Sequence, residues 1–191
     1  PTIQDLINNY YASNNNQNPQ LIIDARFSKD AEVVFNSNGT ITYSVWHYSG
    51  GNKIWDISPT TVSISTLNGL IYVKGDVRTK GRVNGQLSMI ATKEIYITDD
   101  LLYADSNTNG TLASGTTNSL GLISSDDVIV SNTTANQTNC RINGALLALG
   151  TSFSVENYSS GSPRGTLTIW GSLSQHTRGP VGTFSSSTGN K

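Results

Sequence analysis

The spacing of apolar and polar positions changes twice along the chain and divides it into three stretches. In the first, Ile3, Leu6, Ile7, Tyr10 and Tyr11 fall at i, i+3, i+4, i+7 and i+8, which is one face of a helix. Thr2 with Asp5 three residues later makes a capping-box pair at its start. The Asn-rich run Asn14 to Pro19 ends the pattern and reads as a loop. The helix is expected to be a docked lid or the tail of something longer upstream.

From Leu21 to about Ser58 the period is two. Ala31 to Phe35, a turn at Asn38-Gly39, and Thr40 to Tyr48 form a hairpin signal. In its second strand Ile41, Tyr43, Val45 and His47 alternate with Thr42, Ser44, Trp46 and Tyr48. Gly50-Gly51 allows a further turn into Lys53 to Ser58, so the region reads as a small β-meander.

The third stretch repeats. A small or acidic residue followed by an apolar one recurs at Asp76-Val77, Glu94-Ile95, Asp127-Val128, Ser152-Phe153 and Ser172-Leu173, in steps of 18, 33, 25 and 20 residues. Five residues before each pair stand Ile71, Met89, Leu122, Leu147 and Leu167, all apolar. Three residues after the first member stand Thr79, Ile97, Val130, Val155 and Gln175. Between the columns lies a short corner with Gly75, Lys93, Asp126, Thr151 and Gly171. Arg82-Val-Asn-Gly also matches Arg141-Ile-Asn-Gly, at a spacing of 59 where the acidic series puts 58, so the register there is open by one residue. The long step is taken up by one ejected loop, Ser106 to Ser119, made almost wholly of Asn, Thr, Ser and Gly.

Columns repeating at these steps are what stacked parallel strands require. The expected fold is all-β: a right-handed parallel β-helix (solenoid) over residues 62–184, with a cap of helix and meander over 1–61 and a flexible tail over 185–191. An antiparallel sandwich fits the strand count but not the columns.

Composition narrows the function classes. Asn, Ser and Thr number 20, 25 and 22, or 67 of 191 residues, while only 13% are charged. These residue types favour strands and turns over helices. A net charge of −1 argues against a general nucleic-acid binder. The single Cys140 excludes an internal disulfide and any multi-cysteine metal site, and is expected to be a buried, inert thiol. The longest aliphatic run, Ala145 to Leu149, is far too short to cross a bilayer. A start at Pro1 reads as a mature or excised piece. Five Asn-x-Ser/Thr triplets, at Asn38, Asn109, Asn132, Asn136 and Asn157, are of the kind that so Asn- and Thr-rich a chain produces by chance.

Several stretches carry a resemblance: Asn68-Gly-Leu-Ile-Tyr-Val-Lys-Gly-Asp76, Ile95-Tyr-Ile-Thr-Asp99, Leu101-Leu-Tyr-Ala-Asp105, Gly165-Thr-Leu-Thr-Ile-Trp-Gly171 and the closing Thr177-Arg-Gly-Pro-Val-Gly-Thr-Phe184. They resemble a domain-of-unknown-function family of bacterial envelope or pilin-like proteins. The resemblance covers roughly residues 60–184 and implies a secreted or surface-tethered parallel β-helix. It brings no catalytic residues with it.

Candidate chemistry is sparse. Asp99-Asp100 and Asp126-Asp127 are carboxylate pairs of the kind polysaccharide-cleaving β-helices use. Neighbouring strand residues point to opposite faces, however, and paired Asp residues commonly cap turns. His47 and His176 lie far apart in the chain, with no Gly-x-Ser-x-Gly motif to support a Ser-His-Asp site. Arg78, Lys80 and Arg82 alternate with Val77, Thr79 and Val83 and should line one outward face, which Arg141 extends. This stripe is the binding candidate, suited to an acidic glycan or DNA; its plain alternative is a solvated strand face. Tyr72, Tyr96, Tyr103, Tyr158 and Trp170 are candidates for stacking on sugars or bases.

The expectation is a non-enzymatic extracellular or cell-surface bacterial module with a structural, adhesive or pilus-associated role, needing no cofactor. Its partners would be other envelope or filament subunits, or an acidic glycan or DNA. The alternatives are a carbohydrate-active β-helix enzyme and a module that binds anionic polymers.

Overall fold

The structure, a computed structural model, describes residues 2–13, 19–185 and 189–190. Residues 14–18 of the expected loop lie outside them, as do 186–188 and 191 of the expected tail. The helix α1 (Ile3–Ser13) is present, with Ile3, Leu6 and Ile7 half-buried and the residues between them exposed. The side chains of Tyr10 and Tyr11 lie outside those described. The capping box forms reciprocally: Thr2 N donates to Asp5 Oδ2 at 2.7 Å, and Asp5 N donates to Thr2 Oγ1 at 3.1 Å.

The rest is mostly β, with 53% of residues in strands. One mixed sheet of 13 strands curls into a half-barrel, ten of its strands lying on a continuous path. Its strands are β1 (Leu21–Ala25), β2 (Asp30–Asn36), β3 (Thr40–Ser49), β4 (Asn52–Ser63), β5 (Leu70–Gly75), β6 (Val77–Val83), β7 (Gln86–Ala91), β8 (Ile95–Tyr103), β9 (Ser119–Ser124), β10 (Val128–Val130), β11 (Cys140–Ala148), β12 (Phe153–Val155) and β13 (Leu167–Gln175). A separate pair, Phe184–Ser185 with Gly189–Asn190, is antiparallel.

Two parallel ladders organise the sheet. The first runs β1–β5–β7–β9–β11–β13. The second runs β2–β6–β8–β10–β12. They meet at β11, whose second half pairs with β9 while its Ile142 pairs with Leu101 of β8. Each ladder starts from one of the first two strands, β1 or β2, so parallel pairing begins at Leu21 rather than near residue 62. The β3–β4 hairpin leaves the ladders as an antiparallel extension of β2.

Alternation explains which side chains turn inward. β1 buries Leu21, Ile23 and Ala25 and exposes Ile22 and Asp24. Inward columns then form across levels. Val77, Ile95, Val128 and Phe153 stand in register, as do Thr79, Ile97, Val130 and Val155. The inward Thr79 is satisfied because its Oγ1 donates to Val33 O at 2.9 Å.

The third expected column needs correction. Ile71, Met89 and Leu122 stack as expected, with Leu21 before them, but the next positions are Leu146 and Leu173, not Leu147 and Leu167. The reason is corner length. Five residues separate the column from the corner residue at Ile71 to Asp76, Met89 to Glu94 and Leu122 to Asp127, but six separate Leu146 from Ser152. The additional residue is absorbed at the Leu149–Thr151 turn, where Gly150 runs so close that a Cβ would stand 2.5 Å from Ser125 O. Leu167 instead opens β13 opposite Cys140, and Ser172-Leu173 lies in the first ladder opposite Ala145-Leu146. Gln175 likewise stands opposite Ala148, away from the expected column.

The ejected loop between β8 and β9 is held by one buried amide. Asn143 Oδ1 accepts from Tyr103 N (2.9 Å) and Ser106 Oγ (2.7 Å), and its Nδ2 donates to Gly110 O (2.9 Å). Gly110 packs against Leu102 and Arg141, so the loop folds back over the outer side of β8 and β11.

Candidate functional site

The expected basic stripe has the orientation its alternation implies. Val77, Thr79 and Val83 are buried, while Arg78, Lys80 and Arg82 are half-exposed. Parallel pairing with β2 places acids beside two of them: Arg78 Nη1 pairs with Asp30 Oδ1, and Lys80 Nζ lies 3.4 Å from Glu32 Oε1. The Arg78 guanidinium also lies 5.8 Å from the centre of the Tyr96 ring. Arg82 Nη1 turns to the loop, donating to Tyr103 O and Ser106 O at 3.4 Å each. Arg141 Nη1 pairs with Asp100 Oδ2 at 2.8 Å, and the Asp100 carboxylate also accepts from Arg141 N. Arg141 is not the structural counterpart of Arg82: Arg82 is in register with Leu102, whereas Arg141 precedes the Leu101–Ile142 pair. Four cations are thus set against three carboxylates and a loop, which leaves little long-range positive field at physiological salt.

The carboxylates named from the sequence serve backbone groups, those of Asp76 and Asp127 on a neighbouring level and that of Asp99 on the next residue of its own strand. Asp127 Oδ1 accepts from Ser152 N at 2.6 Å, Asp76 Oδ1 from Glu94 N at 3.1 Å, and Asp99 Oδ1 from Asp100 N at 2.7 Å. One acid stands apart. Glu94 shares a hydrogen bond with the Asp76 carboxyl, is partly buried, and is repelled by Asp76 and Asp126, which together push its carboxyl up to about 7. The Tyr96 phenol beside it is also raised, first by burial and then by Glu94 and Asp76. Among the described residues no group of three or more His, Cys, Asp or Glu is placed to hold a metal ion, and no helix is long and apolar enough to cross a membrane.

His47 belongs to the β3–β4 hairpin, where its Nδ1 lies 2.8 Å from Asp56 Oδ2; Lys29 Nζ approaches the other Asp56 oxygen at 3.0 Å. Both contacts hold the Asp56 carboxyl below its usual range, the His47 hydrogen bond most. Beside them Trp46 and Trp55 meet edge to face, with Lys53 Nζ 3.7 and 4.0 Å from the two ring centres. The sequence reading did not single out this aromatic cluster, which only cross-strand register assembles. Of the rings it did name, Tyr103 is buried, Tyr72 and Tyr96 are half-buried, and Tyr158 and Trp170 are exposed.

The sequence reading also missed a cavity of about 410 Å³ at the C-terminal end of the ladders. Val130, Val155, Cys140 and Leu167 form its apolar side, and Asn136, Tyr158 and Arg164 contribute polar groups. Cys140 is buried, and burial pushes its thiol up to about 12, an unreactive group at neutral pH. The closing segment 181–183 forms another wall. That segment is held by Val155 N donating to Pro180 O at 3.0 Å and by Gly179 N donating to Gln175 Oε1 at 3.3 Å. A Cβ at Gly179 would stand 2.2 Å from Phe153 O, so only glycine allows this approach. Asn136, one of the Asn-x-Thr positions, is 4% exposed and closed to glycosylation in the folded chain.

No family model, curated protein or solved structure matches the chain, so the family resemblance stands on its motifs alone.

Proposed function

We propose that the two ladders wind as a right-handed parallel β-helix and that the chain is a non-enzymatic module of a bacterial cell surface, extracellular or envelope-attached. Its role would be structural, adhesive or pilus-associated, beside other envelope or filament subunits. The observation that carries this reading is the pair of parallel ladders running from Leu21 to Gln175, whose inward columns are mostly apolar at level after level. Such a stack resists bending because each level is seated on the next through both backbone hydrogen bonds and interior packing. The pairing of Arg78, Lys80 and Arg141 with acids of the same chain supports a structural use of these charges. The motifs of residues 60–184 support the envelope setting.

The test is location. The full gene product, epitope-tagged in its own host, should be labelled by antibody on intact cells; a product found only inside unbroken cells would overturn the surface reading.

A second reading, a carbohydrate-active enzyme, has one observation in its favour: a carboxyl held near neutrality beside another acid is the arrangement that divides acid and base roles. Incubation with neutral and acidic polysaccharides distinguishes the two. Reducing ends or unsaturated products that disappear in Glu94→Gln would establish the enzyme and remove the non-enzymatic reading.

A further inference from the structure

We infer that the chain forms a two-fold dimer in which the β13 strands of two copies pair antiparallel, edge to edge, about an axis at Gly171. The inference starts from the direction of backbone hydrogen bonds. Thr166 O accepts from Cys140 N, and His176 N donates to Ala148 O, so the even-numbered residues between them turn their backbone groups towards β11. The register between Cys140–Ala148 and Leu167–Gln175 is unbroken, so the odd-numbered Leu167, Ile169, Gly171, Leu173 and Gln175 turn theirs to the other side. No described strand or turn meets them there.

The other edges of the sheet are closed or guarded, and β13 is neither. The second ladder is continued at its start by β3 and β4, and past β12 it is closed by the bond from Val155 N to Pro180 O. The edge strand β4 carries Lys53, Asp56 and Pro59, and its pairing with β3 shifts register twice. β1 is five residues long, with Asp24 inside it and Arg26 after it. Charge, proline, irregularity and short length are what keep strand edges from pairing. β13 is nine residues long and has no charged residue, no proline and no register shift. It also leaves Trp170 43% and Leu173 40% exposed.

A second copy of β13 meets each of these demands. An antiparallel pair centred on Gly171 sets Leu167 opposite Gln175 of the other copy, Ile169 opposite Leu173, and Gly171 opposite itself. All are odd-numbered, so five N–H and five C=O groups on each copy face their counterparts and make ten hydrogen bonds. Polarity matches as well. On the inner face Ile169 and Leu173 of the two copies cover each other; on the outer face Trp170 lies over Ser172 and Thr168 faces Ser174. No like charges meet within the pair. Any other axis along the strand leaves some of the odd-numbered groups unmet, so full overlap fixes the register. A strip about 30 Å long buries roughly 900 Å² over both copies, near the lower bound of specific interfaces, with the hydrogen-bond complement of an ordinary one. The dimer is therefore of about micromolar affinity. Because both copies use the same strand, the contact closes at two. None of this rests on the surface reading above.

Light scattering or sedimentation of the whole chain, diluted from about 0.2 mM to about 1 µM, tests the proposal. Twice the monomer mass is expected at the high end, falling to the monomer mass on dilution. Leu173→Lys should weaken the dimer by about tenfold or more while leaving thermal unfolding of the dilute chain unchanged, since Leu173 is already part-exposed. Ser172→Cys reads the register. In the two-fold pair the substituted positions stand about 8 Å apart, two residue rises along the strand and one strand spacing across it. A short bis-maleimide should therefore join two copies of Ser172→Cys and none of Thr60→Cys, on the exposed strand β4; Cys140 is buried and does not compete. A monomer at every concentration, a mass that grows without limit, a dimer indifferent to Leu173→Lys, or cross-linking through Thr60→Cys instead of Ser172→Cys would each overturn the proposal. Should Leu173→Lys fail to fold, the Ser172→Cys cross-link decides the matter.

Discussion

In the middle of the first ladder Ile71, Met89 and Leu122 lie one above another with no exposed surface, whereas Leu173, the last member of the same column, is 40% exposed. The residue types are alike and the backbone pairing is alike. What differs is that the middle levels have a neighbour on both sides, while β13 pairs only with β11 among the described strands. Two buried amides also differ. Asn143, within β11, has partners for both its oxygen and its nitrogen; Asn136, in the turn packed on β8, has an oxygen with none. Repetition buries the interior of the first ladder, and its last strand is where packing is left incomplete.

The largest expected effect tests the packing half of this contrast. Leu122→Ala should cost about 3 kcal/mol, as fully buried leucines do, while Leu173→Ala should cost below about 1 kcal/mol. Urea midpoints of the two variants give the comparison, and equal losses would break it. Next comes Asn143→Ala, which leaves Tyr103 N and Gly110 O without their partner and should cost about 2 kcal/mol. Limited proteolysis of this variant should cut within residues 104–118 before any other site; an unchanged pattern would mean that the amide does not hold the loop.

The smallest effect is a pH dependence at the corner between the ladders. The Glu94 carboxyl is raised in the folded chain, so between about 4.5 and about 7 the folded state holds a proton that the unfolded state has released. Stability from this group is therefore greatest below its unfolded value and declines as pH rises through 7. Because Glu94 is only partly buried, solvent screening limits the change to about 1 kcal/mol or less. Thermal unfolding should occur at a higher temperature at pH 5 than at pH 8, and Glu94→Gln should flatten that difference. A wild-type profile already flat across this range would mean that the Asp76–Glu94 contact is too solvated to matter.

Much of the fold was legible because each signal was local. The capping box of Thr2 and Asp5, the hairpin around Asn38-Gly39 and the inward columns at Val77 and Thr79 all follow from a pattern within a few residues. The corner acids were equally visible, since a carboxylate preceding an apolar strand start caps the backbone of the next level, as Asp76 and Asp127 do. The stripe Arg78-Lys80-Arg82 was read with the right orientation, but its neutralisation was hidden: Asp30 and Glu32 stand almost fifty residues earlier and become neighbours only through the β2–β6 register. The cavity was hidden more deeply, for Asn136 reads as one more Asn in an Asn-rich loop and Arg164 as an isolated basic residue.

The amino-acid order alone determined the strand periods, the corners and which residues face inward, because contrast between water and interior acts on each side chain along a pleated strand. Only the folded chain decided which levels pair, since that depends on how many residues each corner and loop consumes. One additional residue between Leu146 and Ser152 moved a column, and the loop before Leu167 moved β13 to a different part of the ladder. Partner choice for charges is a consequence of that counting, and no local pattern encodes it.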